Sequence, residues 1–181
     1  MLFDIKGKGK GKPQVCPKLF SPSIYIMKVY SLYLSTLSPA GSPYAPIYDT
    51  QSVVSWNINW DAFFGSQSAN NSLPNKCRVK FLLTSQSGTL TYNNTLGSLR
   101  ANFTSPYANN YNGVNLGLVN PTNDPTNANH RYLGDTTSSV GVDIALPRGN
   151  QALELRFISL AEDILNVALD YQVWLYFEVE E

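Results

Sequence analysis

The chain has 181 residues and balances 13 Lys and Arg against 13 Asp and Glu, for a formal net charge of +0. That length fits one domain with room for a real core, and 43% hydrophobic with 12% aromatic residues excludes a disordered chain. Charged residues make up only 14%, under the roughly 25% of an ordinary soluble domain, and Asn, Ser and Thr fill the gap at about a quarter of the chain.

The neutral total hides a split. The first 30 residues carry a surplus of five positive charges, so the rest carries −5 and ends in "YFEVEE". Residues 1–22, with the comb "KGKGKGK", are read as a flexible basic arm. Gly alternating with Lys has no hydrophobic period and a large unfolded entropy, so it orders only against a partner. Lys6, Lys8, Lys10, Lys12 and Lys18 are its expected partner-binding residues. Acidic protein neighbours, "FEVEE" of another copy among them, come first. Weak non-specific contact with nucleic acid comes second, since four lysines on a glycine string are few for packaging a genome. A merely solubilising tail is the bland alternative.

Residues 23–50 read as an extended strand followed by a Pro-rich linker. In "SIYIMKVYSLYLS", Ile24, Ile26, Tyr30, Leu32 and Leu34 share one face, with Lys28 the exception, and Tyr25, Met27, Val29 and Tyr33 share the other. Apolar residues on both faces predict a strand covered on both sides, by a neighbouring chain on one of them. Lys28 also breaks the apolar run, so the segment is not read as a signal peptide or a membrane span. "SPAGSPYAPIYD" is expected to stay outside any sheet because proline cannot donate to a ladder.

Residues 51–181 read as the main domain. Short strands are predicted at 52–59, 77–84, 89–92, 98–103, 140–146, 152–159 and 170–180, with a weaker one at 113–119. Cys77, Val79, Phe81 and Leu83 alternate inward on one, and Tyr171, Val173, Leu175, Phe177 and Val179 on another. Only "NWDAFFG" and "SLAEDILN" allow a helix, each of about two turns; Ser159 and Glu162 have capping-box spacing. The expected fold is all-β: an antiparallel β-sandwich, a single jelly roll of about eight strands, with an extended N-terminal arm.

Chemistry leaves few candidates. His130 is the single histidine and sits in an Asn/Thr/Pro loop without a nucleophile turn around any serine. Asp61, Asp143, Glu154 and Asp163 are the only interior candidates for a carboxylate pair, and Asp143 and Glu154 fall at outward positions. Cys16 and Cys77 give no zinc pattern, and two free thiols are preferred to one bridge. "DPTNANHRYLGD" has oxygen ligands for calcium but not the EF-hand spacing. No enzyme, metal or cofactor is expected. Trp56, Ile58 and Trp60 alternate onto one face and read as core rather than a sugar platform. Tyr107, Tyr111 and Tyr132, in Asn-rich loops, are the better partner or glycan contacts. The acceptor patterns at Asn70, Asn93 and Asn102 are discounted as chance matches in an Asn-rich chain.

"WNINWDAFFG" leading into "CRVKFLLTSQSGTLTYNNTLGSLRANF", an Asn/Pro-rich excursion and the closing strand "YQVWLYFEVEE" together resemble the single-jelly-roll capsid proteins, penton or minor, of large icosahedral double-stranded DNA viruses of eukaryotes. The resemblance is one of pattern over roughly residues 50–181, and no functional residue is carried over from it. It implies a structural protein of the virion, held in the host cytoplasm during assembly. Its partners are itself, as a homo-oligomer with a pentamer favoured, and neighbouring major and minor capsid proteins. The alternatives are a carbohydrate-binding module and a trimeric ligand resembling tumour necrosis factor or the complement globular head.

Overall fold

The computed structural model describes residues 27–50, 52–65, 73–88, 97–107, 113–119, 132–159, 163–164 and 169–180. These hold ten strands and one short helix: β1 (Met27–Ser35), β2 (Pro46–Asp49), β3 (Val53–Asn59), α1 (Trp60–Phe64), β4 (Lys76–Gly88), β5 (Gly97–Ala101), β6 (Val114–Val119), β7 (Tyr132–Asp135), β8 (Val142–Ala145), β9 (Asn150–Ser159) and β10 (Leu169–Glu180).

One sheet runs β1-β10-β4-β7, with β8 also on β4, and the other runs β2-β3-β9-β5-β6. Every pairing is antiparallel. The pairs are nested along the chain. β1 meets β10, β3 meets β9, β4 meets β7 and β8, and β5 meets β6. A long hairpin rolled up on itself gives that order, and the lateral pairs β10–β4 and β9–β5 are made by the rolling. The fold is the expected all-β sandwich with jelly-roll strand order.

Period-two patterning decides which faces meet. Val79, Phe81 and Leu83 on β4 and Val173, Leu175 and Phe177 on β10 are fully buried. Trp56, Ile58, Leu99 and Leu155 answer them from the other sheet. Trp56 and Trp60 are therefore core rings, as the apolar continuation of their face implied. Each large side chain so buried contributes about 1.5–3 kcal/mol.

One end of the core is closed by aromatic rings. Asn59 caps α1 by accepting from the Ala62 N–H at 3.0 Å, and Gly65 ends the helix at φ 81°. This helix is one turn long, shorter than expected, because the cap and the glycine stand only six positions apart. It sets Trp60, Phe63 and Phe64 around Phe177, with centroids 5.5–5.7 Å away, and Phe103 completes the ring at 5.9 Å. Most of these contacts are edge-to-face, the arrangement ring quadrupoles favour.

Three expectations are corrected. The Pro-rich segment does enter a sheet: Pro46–Asp49 forms β2 on the outer edge of β3. Proline is tolerated there because it opens an edge strand, where its missing N–H breaks no ladder. The end of "DPTNANHRYLGD", read as loop, forms β7, and Tyr132–Asp135 pairs with β4 at Leu82–Thr84. Asp163 and Ile164 turn back onto β9: Ile164 forms an antiparallel bridge with Ile158, and the Asp163 N–H donates to Ser159 Oγ at 3.1 Å. Glu162 and the strand expected at 89–92 lie outside the described residues. Among the described residues no helix is long and apolar enough to cross a membrane.

Candidate functional site

The alternation that fills the core leaves the opposite side chains of β1, β10, β4, β7 and β8 on one outer face. Register lays them in rows across the sheet. Val29 stands beside Glu178, then Arg78, then Asp143. Ser31 leads to Tyr176 and Lys80, and Tyr33 to Trp174, Leu82 and Asp135.

At the β4–β8 side these rows carry charge. Arg78 Nε donates to Asp143 Oδ1 at 3.0 Å, and Tyr107 donates its hydroxyl to Oδ2 at 3.0 Å. Lys76 Nζ lies 6.0 Å from the Tyr107 ring centroid, within cation–π range. One row over, Lys80 Nζ is 2.6 Å from Glu178 Oε1. Burial pushes the Asp143 carboxyl up, but the hydrogen bonds from Arg78 and Tyr107 and the charges of Arg78 and Lys76 outweigh it and hold it below its usual range. Arg78, Ser105, Tyr107, Val140, Gly141 and Asp143 line a shallow groove of about 390 Å³. Tyr107, 71% exposed, forms its outer lip. Gly141 can line it closely because its φ is 75° and a Cβ there would meet Val79 O at 2.8 Å.

Beneath this cluster Cys77 is a buried free thiol. Burial, with the Asp143 charge adding, pushes it up to about 12, so it stays protonated and is no nucleophile at neutral pH.

At the β1 side the outward side chains of the strand itself are uncharged, with Glu180 and Glu178 beside Met27 and Val29. Tyr33 packs on Trp174 with centroids 5.0 Å apart and planes tilted by 48°, and its hydroxyl donates to Gln172 at 2.9 Å. Met27 is 50% exposed, Val29 57% and Tyr33 44%. The expected alternation of β1 is present over Met27–Ser35: Leu32 and Leu34 are in the core, and Met27, Val29 and Tyr33 face outward, about half exposed in the single chain.

The expected site residues divide. Tyr107 is exposed as anticipated and is anchored by Asp143. Tyr132 belongs to β7, with its backbone paired to Thr84. Tyr111, Lys6, Lys8, Lys10, Lys12 and Lys18 lie outside the described residues, as do Cys16, His130, Asn70 and Asn93. Asp143 and Glu154 do point outward, but as ion-pair partners of Arg78 and Arg156. Asn102 holds β9 through both ends of its amide, donating to Ala152 O and accepting from the Glu154 N–H. Arg78 and the Val29–Tyr33–Trp174 strip were not singled out by sequence reasoning; the outward register of β4 and β1 was the signal for both. Among the described residues no group of His, Cys, Asp and Glu is arranged to hold a metal ion.

Comparison with protein-family models, with curated proteins and with solved structures finds no match to this chain.

Proposed function

We propose that this protein is a structural component of an icosahedral virus shell, a penton or minor capsid protein that works by assembling with its own copies and with neighbouring capsid proteins. One observation carries the reading. β1, an edge strand among the described residues, has Leu32 and Leu34 in the core, while Met27, Val29 and Tyr33 stand about half exposed on the outer side. A subunit built to sit against neighbours leaves such a strip; a free-standing domain usually covers it with charge. Few ionic groups on the remaining surface lower the desolvation cost of burying it. The 48° tilt between Tyr33 and Trp174 offers a sugar ring no flat platform, which favours protein contact over glycan binding. The basic head and acidic tail supply complementary charge between copies, and no catalytic step belongs to this role.

The native mass of the full-length protein, by light scattering behind a sizing column at low and high salt, tests it. Five times the 20.0 kDa chain mass, or a multiple of that ring, supports a vertex protein. Loss of the assembly in high salt assigns the contact to the lysine comb. A salt-insensitive trimer overturns the proposal in favour of a ligand-like jelly roll.

A further inference from the structure

We infer that β1 is a two-fold docking edge, and that its occupant is the β1 of a second copy, paired antiparallel about Ser31 so that two sheets become one. The inference stands on the edge strand and not on the shell reading.

Among the described residues β1 has β10 along one side and no strand along the other. Proteins protect such edges with short strands, bulges, prolines or charges, inward-pointing ones included. β1 has one of these, Lys28 on its inner side next to its first residue, and none of the others. It runs nine residues, its register on β10 is unbroken from Met27–Glu180 to Ser35–Gln172, and it holds no proline. Its outward residues from Met27 to Tyr33 carry no charge.

The sequence of β1 also selects the register. A slip by one residue would set an outward side chain opposite an inward one, so only like faces can pair. Among those registers, centring on Ser31 overlaps all nine residues, because Ser31 is the midpoint of Met27–Ser35. In that register Val29 faces the partner's Tyr33 on the outer side, and Tyr30 faces the partner's Leu32 on the inner side. Aromatic side chains opposite β-branched or aliphatic ones are favourable cross-strand pairs. Each pair occurs twice, as a two-fold axis requires. The two Lys28 residues fall at opposite ends, so no like charges meet. The Tyr33–Trp174 strip would run on through the partner's Val29 without a gap. A cyclic ring uses two different patches on each copy, which leaves this self-complementary edge for a contact of its own.

The test places one thiol on the axis. In the full chain carrying Cys16→Ser, a Ser31→Cys substitution puts two thiols opposite each other at the 4.5–5.5 Å Cα spacing of antiparallel pairs, inside the range a disulfide needs. Under mild oxidation most of this protein is expected at twice the chain mass on a non-reducing gel. A Ser138→Cys control, equally exposed but away from β1, is expected to stay at the chain mass. Ser31→Lys and Ser31→Glu set like charges face to face. Each alone is expected to halve the native mass, and mixing the two is expected to restore it. No excess cross-linking over the control, or an unchanged mass for Ser31→Lys, overturns the inference. That result means the edge is covered otherwise, residues 1–26 of the same chain included. The gel reads the two-fold contact whether or not a five-fold ring forms, so the two proposals fail separately.

Discussion

Tyr107 and Asp143 lie 36 positions apart in the chain, yet the phenol hydroxyl donates to the carboxylate at 3.0 Å. The bond ties the strand-free segment after β5 to β8, and Arg78 holds the other carboxylate oxygen. A groove lip that would otherwise be a loose aromatic ring is thereby given one position.

The carboxyl of Asp143 is depressed in the folded state, so its contribution is present above its ordinary value near 3.8 and is lost as the pH falls through the lowered one. Asp143→Asn is expected to cost under about 1 kcal/mol at pH 6, since the pair is partly solvated. Below pH 3 the difference from the parent is expected to shrink towards zero. Urea midpoints at the two pH values check this, and a gap that widens in acid would contradict it.

Phe177 sits at the centre of the aromatic end of the core, fully buried against Trp60, Phe63, Phe64 and Phe103. Phe177→Ala is expected to cost about 3–5 kcal/mol, the range for large-to-small changes where neighbours cannot collapse into the space. At this chain length that lowers Tm by roughly 10 °C, which calorimetry reads directly.

Gly113 has φ 79°, and a Cβ there would lie 2.2 Å from the carbonyl oxygen of Ala101. The obstacle is the backbone of β5, which cannot swing away as a side chain would. Gly113→Ala is expected to cost about 2 kcal/mol or more and to loosen the β5–β6 pairing. Amide exchange at Leu99–Ala101 should rise before the rest of the sheet follows.

Tyr171 is fully buried between Trp56 and Phe157, and its hydroxyl has no hydrogen-bond partner among the described residues. Burial, together with the charge of Asp49, pushes its ionisation well above the usual tyrosine value. Tyr171→Phe removes the desolvated oxygen and keeps the ring, so it is expected to raise stability by about 1 kcal/mol. A loss of stability in chemical denaturation would show that the hydroxyl is satisfied after all.

The fold was legible wherever a strand keeps strict alternation. Val79–Phe81–Leu83 and Tyr171–Val173–Leu175–Phe177 announce a buried face, because one side of each strand meets the core and the other does not. β7 was not legible. Its "YLGD" contains Gly134, which reads as a turn. The strand needs that glycine because a Cβ would meet Leu118 O at 2.9 Å and the Phe81 ring at 3.1 Å. β2 was hidden by Pro46, whose meaning depends on lying at an edge, a property of the sheet and not of the segment. The site was legible only in pieces. Tyr107 stood out as a loop aromatic and Asp143 as an outward acid. Their meeting with Arg78 follows from the β4–β8 register, which brings together positions 65 apart in the chain.

Nested pairing has a consequence for the order of events on the ribosome. β10 lies between β1 and β4, so among the described residues β1 has no strand neighbour until β10 is synthesised. A nascent chain stalled before residue 169 lacks the central strip of its sheet, and β1 waits through the making of everything in between. Contacts of such long sequence separation close late and slowly. The strip Val29–Tyr33–Trp174 is itself composed across that first-and-last junction. A chain cut before residue 169 cannot display it, because Tyr33 then has no Trp174 to pack on.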